Sequence, residues 1–176
     1  MEPDTRVDHE PERSAQPTLR PPRNLVSKRA IGYWTARATP LWLILIGAQI
    51  LWWVNDSEHS RVHFIVLAAT VVVALIHLVV MPQWRFRVHR WETTPQAVYT
   101  QAGWFNQERR IAPISRIQTV DSHRGPFEQI FGLANVIVTT ASAAGPLRIN
   151  GLDRDVAQRL VDELTTITQA TQGDAT

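Results

Sequence analysis

Apolar and polar positions are sharply segregated along the chain. Residues 38–54 and 64–81 form two runs without a charged side chain, about 17 and 18 residues long, split by a short polar loop. At ~1.5 Å rise per residue, each is at the short end of what crosses a hydrocarbon core of ~30 Å. They predict a helical transmembrane hairpin; the competing reading is a pair of buried helices in a soluble bundle. Beyond residue 82 the period changes. Trp84, Phe86 and Val88 alternate with Arg85, Arg87 and His89, the two-residue rhythm of a strand. Further strands are expected at 97–101 and 104–111, turned at Gly103, and at 118–122, 134–140 and 147–150. A helical turn at 127–131 closes on Gly132. A final helix starting at Asp153 carries the stripe Val156, Leu160, Val161, Leu164 and Ile167, which must be buried against the sheet. This pattern leaves a small barrel and an α+β sandwich both open.

The flanks support insertion. Arg20, Arg23, Lys28, Arg29 and Arg37 precede the first run and Arg85, Arg87 and Arg90 follow the second, while the loop holds Asp56 and Glu58 against Arg61. Lys and Arg gather on the cytoplasmic side, so both termini are expected inside and the loop outside. Trp42, Trp52, Trp53 and Trp84 fall where indoles anchor to the headgroup layer. The first run begins too late, and is followed too closely by the second, for a cleaved signal. Residues 1–24, rich in Pro, Glu and Arg, read as a disordered cytoplasmic tail. The other expected units are 25–81, a juxtamembrane lead-in and the hairpin, with Pro40 in a first helical turn; 82–170, a compact domain; and 171–176, a flexible tail.

Composition narrows the chemistry. There is no cysteine, hence no disulfide, thiolate nucleophile or Cys-ligated metal. A net charge of +2, with basic residues beside the membrane, does not make a nucleic-acid-binding face. The histidines at 9, 59, 63, 77, 89 and 123 are scattered. His59 and His63, at i,i+4, lack a further ligand nearby. Ser115 and Ser122 near His123 lack a nucleophile elbow. Glu92, Glu108, Asp121 and Glu128 read as surface or turn carboxylates. No catalytic residue, cofactor, metal or small-molecule substrate is expected. Gln49 and His77, inside the spans, are too far apart along the hairpin axis to pair. Each is expected to bond a backbone carbonyl, a partner chain or water.

Several motifs carry a resemblance: Trp91 with Glu-Thr-Thr, the run at 98–105, Arg109-Arg110-Ile111 leading to Ser-Arg-Ile-Gln at 115–118, Phe-Gly-Leu-Ala at 131–134, and Ile149-Asn-Gly-Leu at 149–152. With the hairpin in front, the chain resembles the bacterial pleckstrin-homology-like (PH-like) domain membrane proteins, in particular the small YdbS-like members. The resemblance implies an α+β fold: a two-helix transmembrane hairpin, then a strongly bent antiparallel sheet of about seven strands capped by a C-terminal helix. It implies a structural role for Arg116, Gln118 and Gly132, with Arg116 pairing Asp121 or Glu128, and carries over no catalytic residue. The expected function is a non-enzymatic protein of the bacterial inner membrane. It presents a cytoplasmic interaction domain to another membrane protein or to itself, in envelope stress or membrane homeostasis. The alternative is an anionic-headgroup binder using Arg85, Arg87, Arg109 and Arg110.

Overall fold

The computed structural model describes residues 20–56, 58–103 and 106–173; the expected tail over 1–19, the start of the strand expected from 104, and residues 174–176 lie outside them. In a bilayer, a charge-free segment satisfies its backbone polar groups by forming a helix. α1 spans Arg29–Asn55 and α2 spans Ser60–Val88. Leu43, Ile44, Val72 and Ile76 face outward, and almost none of either apolar stretch is buried within the chain. Helices of a soluble bundle would be covered, so the bundle reading falls. Gln49 Nε2 donates to Thr70 Oγ1 at 2.8 Å, and Trp42 Nε1 to His77 Nδ1 at 2.9 Å. Trp42 and Gln49 are seven residues apart on α1, and Thr70 and His77 seven apart on α2. The helices therefore run antiparallel in constant register. Gln49 and His77 do not pair, as expected, but their partners are side chains of the facing helix rather than carbonyls or water.

Two local expectations are corrected. Residues 84–88 are the last turns of α2, not a strand. Three alternating residues cannot distinguish the periods; here the helix continues through Val88, and its last turns lie against α1, with Arg85 over Trp34. Pro40 lies inside α1, not in its first turn. The helix extends back to Arg29 because Ala30, Tyr33 and Trp34 bury themselves in the domain.

The remaining elements are β1 (Asn24–Leu25), β2 (Arg90–Thr93), β3 (Ala97–Ala102), β4 (Glu108–Pro113), a 3-10 turn (Ile114–Arg116), β5 (Ile117–His123), α3 (Pro126–Ile130), β6 (Leu133–Thr140), β7 (Leu147–Asp153) and α4 (Arg154–Gly173). The single, strongly bent seven-stranded sheet is not what forms. There are two antiparallel sheets, β1-β2-β3-β4 and β5-β6-β7, neither strongly curled nor closed. The division falls where Pro113, without an N–H, ends β4 and the 3-10 turn interrupts the ladder. The seventh strand is β1, which precedes the hairpin and pairs with β2. Residues 20–25 are thus folded: Arg20 Nη2 reaches Glu92 Oε1 at 2.6 Å, and the Arg23 N–H donates to Glu92 Oε2 at 3.1 Å. Glu92 is a buried, paired carboxylate rather than a surface one. α4 runs on through Gly173, past the expected start of the flexible tail.

Two clusters of buried residues result. Val98, Val136, Val138, Ile149 and Leu152 pack against Ala157, Leu160 and Leu164 of α4, so the predicted stripe is the covered face. The second cluster, Val26, Ala30, Tyr33, Trp34 and Leu133, joins the foot of α1 to the domain. Trp91 touches both. At Gly151 the domain backbone lies close against α1. Its φ is +78°, an added Cβ would lie 3.1 Å from the Ala30 Cβ, and its carbonyl accepts the Ser27 N–H at 2.8 Å. Gly151→Ala should therefore cost about 1–3 kcal/mol, from left-handed strain and the crowded neighbour. Gly47→Ala, whose Cβ meets nothing within 4 Å, should cost nothing; denaturation of the two variants in detergent compares them.

Candidate functional site

Where α1 and α2 leave the apolar zone, they and the domain enclose a cavity of about 460 Å³. One wall is Tyr33, Trp34 and Arg37 of α1 with Arg85 of α2; the other is Glu128 of α3, Asn135 of β6 and Asn150-Gly151 of β7. Helical spacing places Tyr33 and Arg37 on one face, one turn apart. Arg37 Nη1 donates to the Tyr33 hydroxyl at 3.1 Å, which donates to Glu128 Oε1 at 2.8 Å. Asn135 Nδ2 reaches the same oxygen at 3.4 Å, and Asn135 Oδ1 accepts the Gly151 N–H at 3.0 Å. One polar chain thus links helix, short helix and both strands.

Arg85 differs from its neighbours. Its guanidinium carbon sits 4.5 Å from the centre of the Trp34 ring, a cation–π contact. His89 packs on the same indole at 5.3 Å and places Nδ1 2.8 Å from the Arg85 carbonyl, the geometry of an imidazole donating its Nδ1–H. Burial pushes the His89 pKa down to about 4, the Arg85 carbonyl opposes this, and the Arg85 charge adds to it. For Glu128, burial pushes the pKa up. Its own backbone N–H, Tyr33, Asn135 and Arg37 outweigh that and hold the carboxyl below its ordinary value.

The residues singled out from sequence do not converge. Arg85 and Arg87, two apart on a helix rather than a strand, face different sides: Arg85 is half-buried in the cavity and Arg87 exposed. Arg109 and Arg110 lie on β4 and border other clefts. Arg110 donates to the carbonyls of Ala144, Gly145 and Pro146, each at 2.7 Å. Arg116 and Gln118 are exposed, and the Arg116 pairing is corrected: Glu128 binds Tyr33 and Asn135, and Asp121 takes the Thr119 hydroxyl at 3.1 Å. Gly132 turns the chain at φ +65° between α3 and β6, and its carbonyl accepts the Arg154 N–H at 3.0 Å. His59 and His63 both approach Asp56, at 3.3 and 3.4 Å. Among the described residues no three His, Cys, Asp or Glu converge to hold a metal. Tyr33, Arg37, Asn135 and Asn150 went unread as site residues. The i,i+4 spacing of Tyr33 and Arg37 was the available signal.

Residues 30–166 match the family described as the Bacterial PH domain. The UPF0699 transmembrane protein YdbS of Bacillus subtilis (strain 168) is 29% identical over 107 residues, covering 61% of this chain and 66% of that protein's length. No solved structure matches.

Two outcomes test the geometry. Tyr33→Phe removes a hydrogen bond to a charged carboxylate and should cost about 1.5–3 kcal/mol in detergent denaturation. For His89, the folded pKa of about 4 lies below the ordinary 6.5, so the unfolded chain takes up a proton first on acidification. Its contribution is present above pH ~6.5 and is lost towards pH ~4, on the order of 3 kcal/mol in all. His89→Asn, which keeps a donor for the Arg85 carbonyl but does not titrate, should flatten that part of the stability–pH curve.

Proposed function

The chain belongs to the bacterial PH domain family, and from that membership we propose that it is a non-enzymatic scaffold of the bacterial inner membrane. In this reading the loop between the spans faces outward, and both termini and the PH-like domain face the cytoplasm. The domain recruits an extended segment of a partner membrane protein, in membrane homeostasis or envelope stress.

The carrying observation is β5. It pairs with β6 on one side, has no strand on the other among the described residues, and exposes five of its seven residues. An open edge offers backbone donors and acceptors to an added strand. β4, the other edge beside the break, is blunted by Glu108, Arg109, Arg110 and Pro113, whereas β5 carries one charge, Asp121. The headgroup reading through four clustered arginines has less support, because Arg110 is occupied by carbonyls and Arg85 is separated from Arg87.

A photo-crosslinking residue at Thr119 or Asp121 should capture a discrete membrane-protein adduct in cells, in a complex that persists at high salt. The same residue at Thr166, exposed on α4, should not. Lipid adducts alone from β5 would count against the scaffold. Topology is read on the cysteine-free chain. Glu58→Cys should react with an impermeant maleimide in intact cells, and Asp121→Cys only after permeabilisation.

A further inference from the structure

We infer that the cavity at the hairpin–domain junction is a binding site for a phosphodiester anion at headgroup depth, with Arg85 and Arg37 as the cationic contacts. This site is independent of the β5 edge.

Arg85 is a half-buried cation left unmatched among the described residues. Several other arginines have anionic or carbonyl partners: Arg20 and Arg23 on Glu92, Arg29 near Asp153, and Arg110 on three carbonyls. Arg85 has a ring beneath it and, among the described residues, no acceptor for its five N–H groups and no carboxylate in ion-pair range. Its charged neighbour is another cation, Arg37. Burying part of a guanidinium without an acceptor is unfavourable, and the cavity is where an acceptor can enter. Asn150, on the opposite wall, makes no side-chain hydrogen bond among the described residues and is available to a ligand oxygen.

Charge and depth select the ligand class. Two guanidinium groups facing one carboxylate, Glu128, leave one net positive charge, the complement of a singly charged phosphodiester. A doubly charged phosphomonoester would overcompensate it and leave one net negative charge. Arg37 adjoins residue 38, where one charge-free run begins, and Arg85 stands four residues past Met81, where the other ends. That is the layer in which phospholipid phosphates lie. Planar guanidinium groups suit two phosphate oxygens at once.

Full-length protein in detergent is titrated with phosphatidylglycerol and with uncharged diacylglycerol, and the bound lipid is counted by native mass spectrometry. Phosphatidylglycerol should be retained and diacylglycerol not. Arg85→Gln should weaken retention about tenfold, as expected for losing a charge-assisted contact. Arg87→Gln, outside the cavity, should leave it unchanged. Asn150→Asp adds a negative charge to the cavity while keeping the Arg85–Trp34 stack, and should weaken retention even if Arg85→Gln fails to fold. Soluble glycerophosphoglycerol separates the sources. Displacement of the lipid by it shows that the phosphodiester suffices as a free ligand; no displacement shows that a bilayer lipid is required. Unchanged retention in Asn150→Asp, or equal loss in Arg87→Gln, overturns the assignment.

Discussion

The approach of α1 to β7 at Gly151 is the contact on which the rest of the molecule depends. The absent side chain at 151 admits Ala30 and the edge of Trp34, and the backbone there binds Ser27 and, through its N–H, Asn135. The foot of the membrane helix thereby becomes part of the domain's interior. Ala30 and Leu133 are wholly buried, and β1 extends the first sheet from the other side of the hairpin in sequence. Each large apolar side chain covered at this junction contributes about 1.5–3 kcal/mol. A chain cut after the spans would expose Leu133 and lose a strand. Hairpin and domain share one packed junction, which sets the domain's orientation relative to the two helices.

Inside the bilayer the governing requirement is satisfaction of polar groups. Gln49 and His77 invite a transport or relay interpretation, since polar residues in spans are commonly functional. Their pairing with Thr70 and Trp42 gives a simpler account. Two hydrogen bonds seven residues apart set the register of two helices whose outward faces are apolar and exposed. Interhelical bonds in membranes contribute roughly 0.6–2 kcal/mol each. That is enough to choose one alignment among several that the nearly featureless apolar surfaces allow.

Much of this was legible in the residues. The spans, the positions of most strands and the buried stripe of α4 follow from period and charge, because each depends on residues close in sequence. Three features did not. Alternation at Trp84, Phe86 and Val88 imitates a strand, but α2 continues through Val88, and there Arg85 meets Trp34 of α1, a contact distant in sequence. The pairing of β1 with β2 joins residues more than sixty apart across the hairpin, and nothing local in Asn24-Leu25 announces it. The division into two sheets hangs on one turn after Pro113, whose effect on strand direction the sequence pattern does not encode. The site was missed for the same reason: Tyr33 and Arg37 belong to α1, whereas Glu128, Asn135 and Asn150 come from the other end of the chain.

Proximity to the membrane grouped the arginines; what each one donates to separates them. Arg110 fastens the loop after β6 to β4, and Arg20 and Arg23 neutralise a buried carboxylate. These are structural uses, complete within the chain. The hairpin already secures the protein in the bilayer, so the domain has no need of a broad cationic surface for localisation. A half-buried cation without an acceptor among the described residues, at the boundary between helices and domain, is therefore difficult to explain as anchorage or packing. Its presence there is intelligible when the acceptor comes from outside the polypeptide.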